Sequence, residues 1–203
     1  MMEQQKKAKI AVLVSGGGTN LQALIDAQGS GILQSGEIRA VITTNPRAYA
    51  LERASKAGIE TLILPRDGFE EALEAALEER GIDLIILAGF MRILNADFTA
   101  RWPRRILNVH PALIPSFCGQ GMYGLRVHRA ALDYGVKVTG ATVHFVNEIP
   151  DGGEILLQKA VEVRPEDTPE TLQRRVMEEA EWRLLPAAAE LVSSEIIREK
   201  ERA

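Results

Sequence analysis

The stretch that decides the fold runs from Lys9-Ile-Ala-Val-Leu-Val14 into Ser15-Gly-Gly-Gly-Thr-Asn20. Its near-continuous apolar run is typical of a strand buried on both faces of a sheet. The glycines then form a turn, after which Leu21, Leu24 and Ile25 repeat at helical spacing. A strand, a glycine loop and a helix in this order open a βαβ unit, so we predict an α/β protein.

The same alternation continues along the chain. Apolar runs predict further strands at 38–43, 59–64, 82–87 and 106–110. Helical spacing with terminal glycines predicts helices at 47–57, 69–80 and 125–134. Short connections between strands and helices favour a mostly parallel sheet with helices on both faces. The strands predicted at 137–146 and 155–163 are joined by a glycine-rich turn, which favours an antiparallel pair near the C-terminus.

The last predicted helix begins at Thr168-Pro169, which supply an N-cap and a first-turn proline. It is expected to continue to Leu185, with Pro186 kinking or restarting it. No repeat or linker divides the 203 residues, so we expect one domain over 1–203, with frayed tails at 1–8 and 198–203.

Composition excludes several classes of protein. Apolar residues make up 46% of the chain, but no run approaches the roughly 18–20 residues of a membrane span. The polar N-terminus lacks a secretory signal, and a single cysteine, Cys118, fits a reducing cytoplasm. A net charge of −4 argues against a nucleic-acid partner. The three histidines and Cys118 show no metal-ligand spacing, so no metal is expected.

Asn108 and His110 close the predicted strand 106–110, and Pro111 stops it. Side chains two residues apart on a strand share a face, so this amide and imidazole project together. In open α/β sheets the carboxyl ends of strands are where ligands bind. The pair is therefore either a ligand site or a histidine hydrogen-bonded within the core.

The glycine loop is a candidate anion site. Consecutive N–H groups before a helix N-terminus can hold an anion without a lysine. The Gly-x-Gly-x-Asn pattern matches neither the dinucleotide fingerprint nor the P-loop, so a phosphate monoester is favoured over a nucleotide. A tight turn without a ligand is the alternative.

Two further positions have both a structural and a functional interpretation. Asp151, before two glycines, suits a plain turn, and it gains interest only if it meets His110 in space. His144 lies in an alternating strand and is expected to be a structural support. Cys118 lies among glycines and is interpreted as an incidental thiol.

Six motifs in order resemble the phosphoribosylglycinamide formyltransferase family over nearly the whole chain, from Ile10 to about Pro186. They are Ser15-Gly-Gly-Gly-Thr-Asn-Leu-Gln22, Leu87-Ala-Gly-Phe-Met-Arg-Ile-Leu94, Leu107-Asn-Val-His-Pro-Ala-Leu-Ile-Pro115, Val127-His-Arg-Ala-Ala-Leu132, Gly140-Ala-Thr-Val-His-Phe-Val146 and Asp151-Gly-Gly153. The resemblance implies a single-domain, Rossmann-like formyltransferase fold. It also implies transfer of the formyl group of 10-formyltetrahydrofolate, a co-substrate, to the amine of glycinamide ribonucleotide in purine biosynthesis, by a monomer or a homodimer.

The resemblance also assigns residues to roles. Asn108, His110 and Asp151 match the family's catalytic set, with a protonated His110 and Asn108 as donors to an oxyanion. The other roles fall on three groups: Gly18, Thr19 and Asn20 for the substrate phosphate; Glu181 for its ribose; and Met91, Arg92, Ile93, Leu94 and Ile149 for folate.

Two departures from the family pattern stand out. Glu70 occupies a position that is often arginine in the family, so no folate-tail contact is assigned there. The loop 116–124 is longer than the shortest family version and is either a lid or a passive surface loop.

The rival functions are a formyltetrahydrofolate hydrolase, a methionyl-tRNA formyltransferase and a non-catalytic binder of phosphate ligands or folate. The hydrolase and the tRNA enzyme normally carry an extra domain, for which this chain is expected to have no room.

Overall fold

The computed structural model describes residues 6–202, which separate into two compact units. The first unit combines the chain up to residue 92 with the stretch from 186 onward, and the second comprises 93–185. That both units act as one domain stays a prediction. Of the expected frayed tails, residues 1–5 and 203 lie outside the described residues. Ala8 already begins a strand, and residues up to Arg202 are helical.

The first unit contains a four-stranded parallel sheet. Its strands are β1 (Ala8–Leu13), β2 (Gly36–Thr43), β3 (Glu60–Ile63) and β4 (Leu84–Leu87). They lie in the order β3-β2-β1-β4, and every pair is parallel. The chain moves outward from β1 to β3 and then crosses back to β4. Because such crossovers are right-handed, their helices lie on both faces of the sheet, as predicted.

The helices of these crossovers are α1 (Thr19–Ser30), α2 (Ala50–Lys56) and α3 (Phe69–Arg80). Helix α3 has the predicted bounds and ends at Gly81, whose φ of 57° is left-handed. The predicted start of α2 at Arg47 is wrong by three residues. Asn45 explains the difference, because its side-chain oxygen accepts the Arg47 N–H at 3.0 Å and so forms a turn in place of the first helical turn.

The second unit is built on an antiparallel sheet. Strands β5 (Ile106–His110), β6 (Val138–Phe145) and β7 (Ile155–Glu162) lie in that order, and β6 is antiparallel to both neighbours. The predicted C-terminal antiparallel pair is therefore confirmed. In addition, β6 pairs with β5, which sets Asn108 opposite His144.

Three α-helices and a π-helical turn complete the second unit. They are α4 (Ala96–Arg101), α5 (Leu125–Tyr134), α6 (Pro169–Val176) and the turn Met177–Glu181. Helix α4 was not predicted because six residues are too few for an apolar period. Thr168 caps α6 as predicted, accepting from the Thr171 N–H at 3.3 Å.

The last helix, α7 (Trp182–Arg202), contains Pro186 without ending there. The interruption expected at Pro186 falls earlier, in the π-helical turn. In the first unit, Glu190 of α7 accepts the Ser35 N–H at 2.8 Å, and Lys200 Nζ lies 2.6 Å from Asp83 Oδ1.

None of the helices within residues 6–202 combines the length and the apolar character needed to cross a membrane.

Candidate functional site

The glycine loop of the first unit follows β1, the strand from which the crossovers leave in opposite directions. Open α/β sheets bind ligands at such a reversal of strand order. Gly18 caps α1 with a φ of 72°, and a Cβ placed there would lie 2.7 Å from the Ala50 Cβ. Both the backbone and the packing therefore require glycine. Thr19 begins α1, and Asn20 is buried in its first turn.

The loop has donors suited to an anion. Among the described residues, no acceptor is hydrogen-bonded to the N–H of Gly16, Gly17 or Gly18. No acidic residue occupies the first turn of α1, so the positive end of the helix dipole is not neutralised. Space around Gly16 and Gly17 is open to 4 Å. This arrangement favours the anion-site interpretation over the plain turn.

The second unit brings Asn108, His110 and Asp151 together. Asn108 and His110 lie on one face at the end of β5, as predicted. The His110 Nδ1 is 3.4 Å from Asp151 Oδ2, and the Asn108 Nδ2 is 3.5 Å from Asp151 Oδ1. Asp151 thus meets His110 in space, which the sequence alone left open.

His144 holds the Asn108 amide in place. Its Nδ1–H donates to the Phe145 carbonyl at 2.8 Å, so its Nε2 accepts from Asn108 Nδ2 at 3.1 Å. The amide of Asn108 is thereby oriented with its second N–H toward Asp151. These are the contacts through which His144 is expected to support the site, and that role stays a prediction.

The turn that carries Asp151 is tightly constrained. Asp151 has a φ of 56°, a left-handed conformation that Asp tolerates better than most residues. A Cβ on Gly153 would lie 1.7 Å from the Phe145 carbonyl oxygen, so the backbone of β6 leaves room only for glycine. The Asp-Gly-Gly sequence is therefore a turn that also presents a carboxylate to His110.

Burial and charge set the protonation states of this pair. Burial lowers the pKa of His110 below its usual value, although the Asp151 carboxylate and the Phe117 carbonyl act in the opposite direction. Burial alone would raise the pKa of Asp151. Contacts with His144, the Gly119 N–H and His110 nevertheless bring it below the ordinary value. Asp151 is therefore ionised near pH 7, and a neutral His110 is favoured there over the expected imidazolium.

The loop 116–124 makes direct contacts with this pair, which sequence reasoning missed. The carbonyl of Phe117 lies 2.8 Å from His110 Nε2, and the N–H of Gly119 donates to Asp151 Oδ2 at 2.8 Å. Both contacts use backbone atoms, so no residue type could have indicated them. The Phe117 ring meets Tyr134 edge-on at 6.0 Å, which ties the loop to α5. Movement of the loop as a lid stays a prediction.

Residues expected at the folate are divided between the units. In the first unit, Met91 is exposed and the Arg92 guanidinium lies 4.8 Å from the Phe69 ring. In the second unit, Ile93 and Ile149 are exposed, whereas Leu94 is only 4% exposed. Exposed apolar side chains have surface to offer a ligand, while Leu94 belongs to the core.

Two other buried groups of the second unit are notable. Glu181 ends the π-helical turn, a kind of turn that is frequent at functional sites, and its side chain is buried. His128 of α5 is fully buried, and neither ring nitrogen has a hydrogen-bond partner within residues 6–202. Over those residues, no three His, Cys, Asp or Glu side chains are grouped as a metal site.

Fold and site together define a class: an α/β protein in which an amide, an imidazole and a carboxylate meet at a strand end, an arrangement suited to acyl transfer. The chain belongs to the formyl transferase family, whose model matches residues 8–189.

Relatives and solved structures agree with this family. The phosphoribosylglycinamide formyltransferase of Haemophilus influenzae is 42% identical over 184 residues, covering 88% of this chain and 84% of that protein. The trifunctional purine biosynthetic protein adenosine-3 of Homo sapiens is 45% identical over 94% of this chain. The chain spans only 19% of that protein's length.

A crystal structure of glycinamide ribonucleotide transformylase 1 from Symbiobacterium toebii is also similar. It superposes with a TM-score of 0.87 at 42% identity, over 96% of this chain and 92% of that one. The resemblance inferred from the six motifs, and the fold class, are thereby confirmed.

Proposed function

We propose that this chain transfers the formyl group of 10-formyltetrahydrofolate to the amine of 5′-phosphoribosylglycinamide in de novo purine biosynthesis. The observation that carries the proposal is the grouping of Asn108, His110 and Asp151 around one point at the end of β5. Acyl transfer needs donors for an oxyanion and a group that accepts a proton, and this cluster has both.

Asn108 and His110 are the oxyanion donors in this mechanism. The amine attacks the formyl carbon, a C–N bond forms, and the carbonyl electron pair moves to oxygen. One Asn108 N–H already donates to His144, while the other makes only a 3.5 Å contact with Asp151 and is available to the oxygen. His110 donates through Nε2–H, once the oxygen replaces the Phe117 carbonyl there. Losing one such donor typically costs about 3 kcal/mol in barrier.

Asp151 is the acceptor for the proton that the attacking amine loses. The attacking amine must lose a proton, and the folate nitrogen must gain one when its bond to the formyl carbon breaks. Asp151 is ionised near pH 7, so it can accept that proton or relay it through water. A proton taken up at His110 Nδ1 lies against the Asp151 carboxylate, which stabilises the transient imidazolium.

We assign the substrate contacts as follows. Gly18, Thr19 and Asn20 hold the phosphate through the N-terminus of α1, and Glu181 binds the ribose. The folate contacts are assigned to Met91, Arg92, Ile93 and Ile149, and the buried Leu94 is assigned to the wall behind them. We further propose that both units act as one formyltransferase domain, cytoplasmic and either monomeric or homodimeric.

A formyl-release assay tests the function. Purified protein given 10-formyltetrahydrofolate should deformylate it only when glycinamide ribonucleotide is present. Equal release without the nucleotide would identify a hydrolase, and no release in either case would leave a non-catalytic binder.

Asp151→Asn tests the mechanism. The variant should bind glycinamide ribonucleotide as the wild type does while kcat falls by about 10²- to 10⁴-fold, because the proton acceptor is lost. Asp133→Asn, an exposed change of the same kind on α5, is the matched control and should retain full activity. Wild-type turnover in Asp151→Asn would remove this carboxylate from the mechanism.

A further inference from the structure

We infer that Asn45 and Arg53 are positioning residues for the phosphate site, an inference that rests on the proposed function. Neither side chain belongs to the glycine loop. Both lie in the 45–53 segment, Asn45 between β2 and α2 and Arg53 within α2, and each donates a hydrogen bond to a carbonyl of the loop.

Three consecutive loop carbonyls are held from this one segment. The Ser15 carbonyl accepts from Asn45 Nδ2 at 3.0 Å, and the Gly17 carbonyl accepts from Arg53 Nε at 2.8 Å. Between them, the Gly16 carbonyl accepts the backbone N–H of Ala50 at 3.1 Å. The loop is thus attached to the 45–53 segment by two side chains and one backbone group.

Holding these carbonyls also directs the N–H groups that follow them. In a planar trans peptide, the C=O of one residue and the N–H of the next point in opposite directions. Carbonyls directed toward the 45–53 segment therefore turn the N–H groups of Gly16, Gly17 and Gly18 away from it. These are the three N–H groups that have no acceptor within the part of the chain the structure describes.

Glycine has the greatest backbone freedom of any residue, so a run of three glycines needs external contacts to keep one orientation. An anion site gains affinity when its donors are already oriented before binding. Asn45 and Arg53 meet this need, because a rotation of either peptide would break a hydrogen bond to a side chain fixed elsewhere.

Both side chains are themselves fixed. Arg53 donates from Nη1 to Gln22 Oε1 at 3.0 Å and lies 5.1 Å from the centroid of the Tyr49 ring. Asn45 Oδ1 accepts the Arg47 N–H at 3.0 Å, and the backbone N–H of Asn45 donates to Thr43 Oγ1 at 3.0 Å. Arg53 thus connects α1, α2 and the loop, and its charge adds attraction for an anion.

A pair of neutral variants separates hydrogen bonding from charge. In Arg53→Gln, the side-chain amide nitrogen occupies the place of Arg Nε, so the hydrogen bond to Gly17 can be kept while the charge is lost. Arg53→Met loses both. Lys56→Met removes a positive charge from the same helix, at an exposed side chain without a contact to the loop, and is the matched control.

The readouts are steady-state kinetics and binding of ribose 5-phosphate. In Arg53→Met we expect the KM for glycinamide ribonucleotide to rise about tenfold to a hundredfold, with kcat and the KM for formyl-folate unchanged within about twofold. The KM of Arg53→Gln for glycinamide ribonucleotide should stay within about fivefold of the wild-type value, and the KM of Lys56→Met should equal the wild-type value. In Asn45→Ala the same selective rise in KM is expected.

Amide NMR signals give a readout that a merely structural role would not move. Ribose 5-phosphate should shift the Gly16, Gly17 and Gly18 amides in the wild type and in Arg53→Gln, but not in Arg53→Met. Equal impairment of the Gln and Met variants would show that only the charge matters and would overturn the positioning role. So would wild-type KM and shifts in Arg53→Met.

The same titration separates this inference from the proposed function. Failure of the wild type to bind ribose 5-phosphate would overturn the positioning role, whatever reaction the chain catalyses. Selective loss of phosphate binding in Arg53→Met, together with formyl release that does not depend on the nucleotide, would support the positioning role and reject only the proposed reaction.

Discussion

His128 is predicted to make the folded protein less stable as the pH falls from 6.5 to 4. Its ring is fully buried in α5, and its nitrogens have no partner within the described range. Burial, with a smaller contribution from His110, lowers the pKa of His128 from 6.5 to about 4. The folded state therefore keeps the ring neutral over a range in which the unfolded chain takes up a proton.

The size of the effect follows from linkage. Each pKa unit corresponds to about 1.4 kcal/mol. A pKa lowered from 6.5 to about 4 therefore contributes about 3 kcal/mol to the free energy of unfolding when His128 is neutral in both states. Because the pKa is lower in the folded state, this stability is fully present above pH 6.5 and is lost as the pH falls toward 4. At pH 5, about 2 kcal/mol of the free energy of unfolding should already be lost.

His128→Leu isolates this contribution. Leucine fills a similar volume and cannot titrate. It also removes two unpartnered buried nitrogens, so the variant should be at least as stable as the wild type at pH 7. Urea unfolding at pH 7 and pH 5 measures the loss in each protein. The wild type should lose about 2 kcal/mol more than His128→Leu over this interval.

Arg129→Gln, an exposed change on the same helix, controls for the effect of substitution and should lose as much stability as the wild type. Equal losses in the wild type and His128→Leu would refute the reasoning. A direct check is NMR titration of the His128 ring, and a midpoint near 6.5 would show that the folded state does not keep it neutral.

Three stability predictions concern glycine and capping residues. Gly153→Ala should unfold at lower temperature and lose activity, because its Cβ would displace the Phe145 carbonyl and with it the Asp151 turn; Gly29→Ala, with nothing within 4 Å, should instead gain about 0.5–1 kcal/mol. Wild-type activity in Gly153→Ala would contradict this account of the turn. Thr168→Ala should cost about 1 kcal/mol by removing the cap of α6, and Thr168→Ser should restore it, as thermal unfolding can measure.

Elements with strong periodicity and clear ends were predictable from the sequence. The bounds of α3, β5 and α5 agree with the predicted ranges, because apolar spacing defined each element and a glycine or proline followed it. Helix α4 was missed because it is short, and α2 began late because an Asn side chain formed a turn. At α2 a local contact outweighed the repeating pattern, whereas α4 is too short to show a repeating pattern.

The site was only partly predictable for a related reason. The shared face of Asn108 and His110 follows from their spacing of two on a strand. The meeting with Asp151 does not, since 43 residues separate Asp151 from Asn108. The contacts of His110 and Asp151 with loop 116–124 use backbone atoms and leave no trace in residue type.

The sequence by itself determined the α/β class, the glycine loop after β1 and the pairing of an amide with an imidazole on β5. These features depend on neighbours a few residues apart, whose relation is set by helical and strand geometry. Only the tertiary structure decided that Asp151 meets His110, that His144 orients Asn108 and that Asn45 and Arg53 hold the glycine loop. Those relations depend on how the chain folds back on itself, and that is settled by the packing of whole elements.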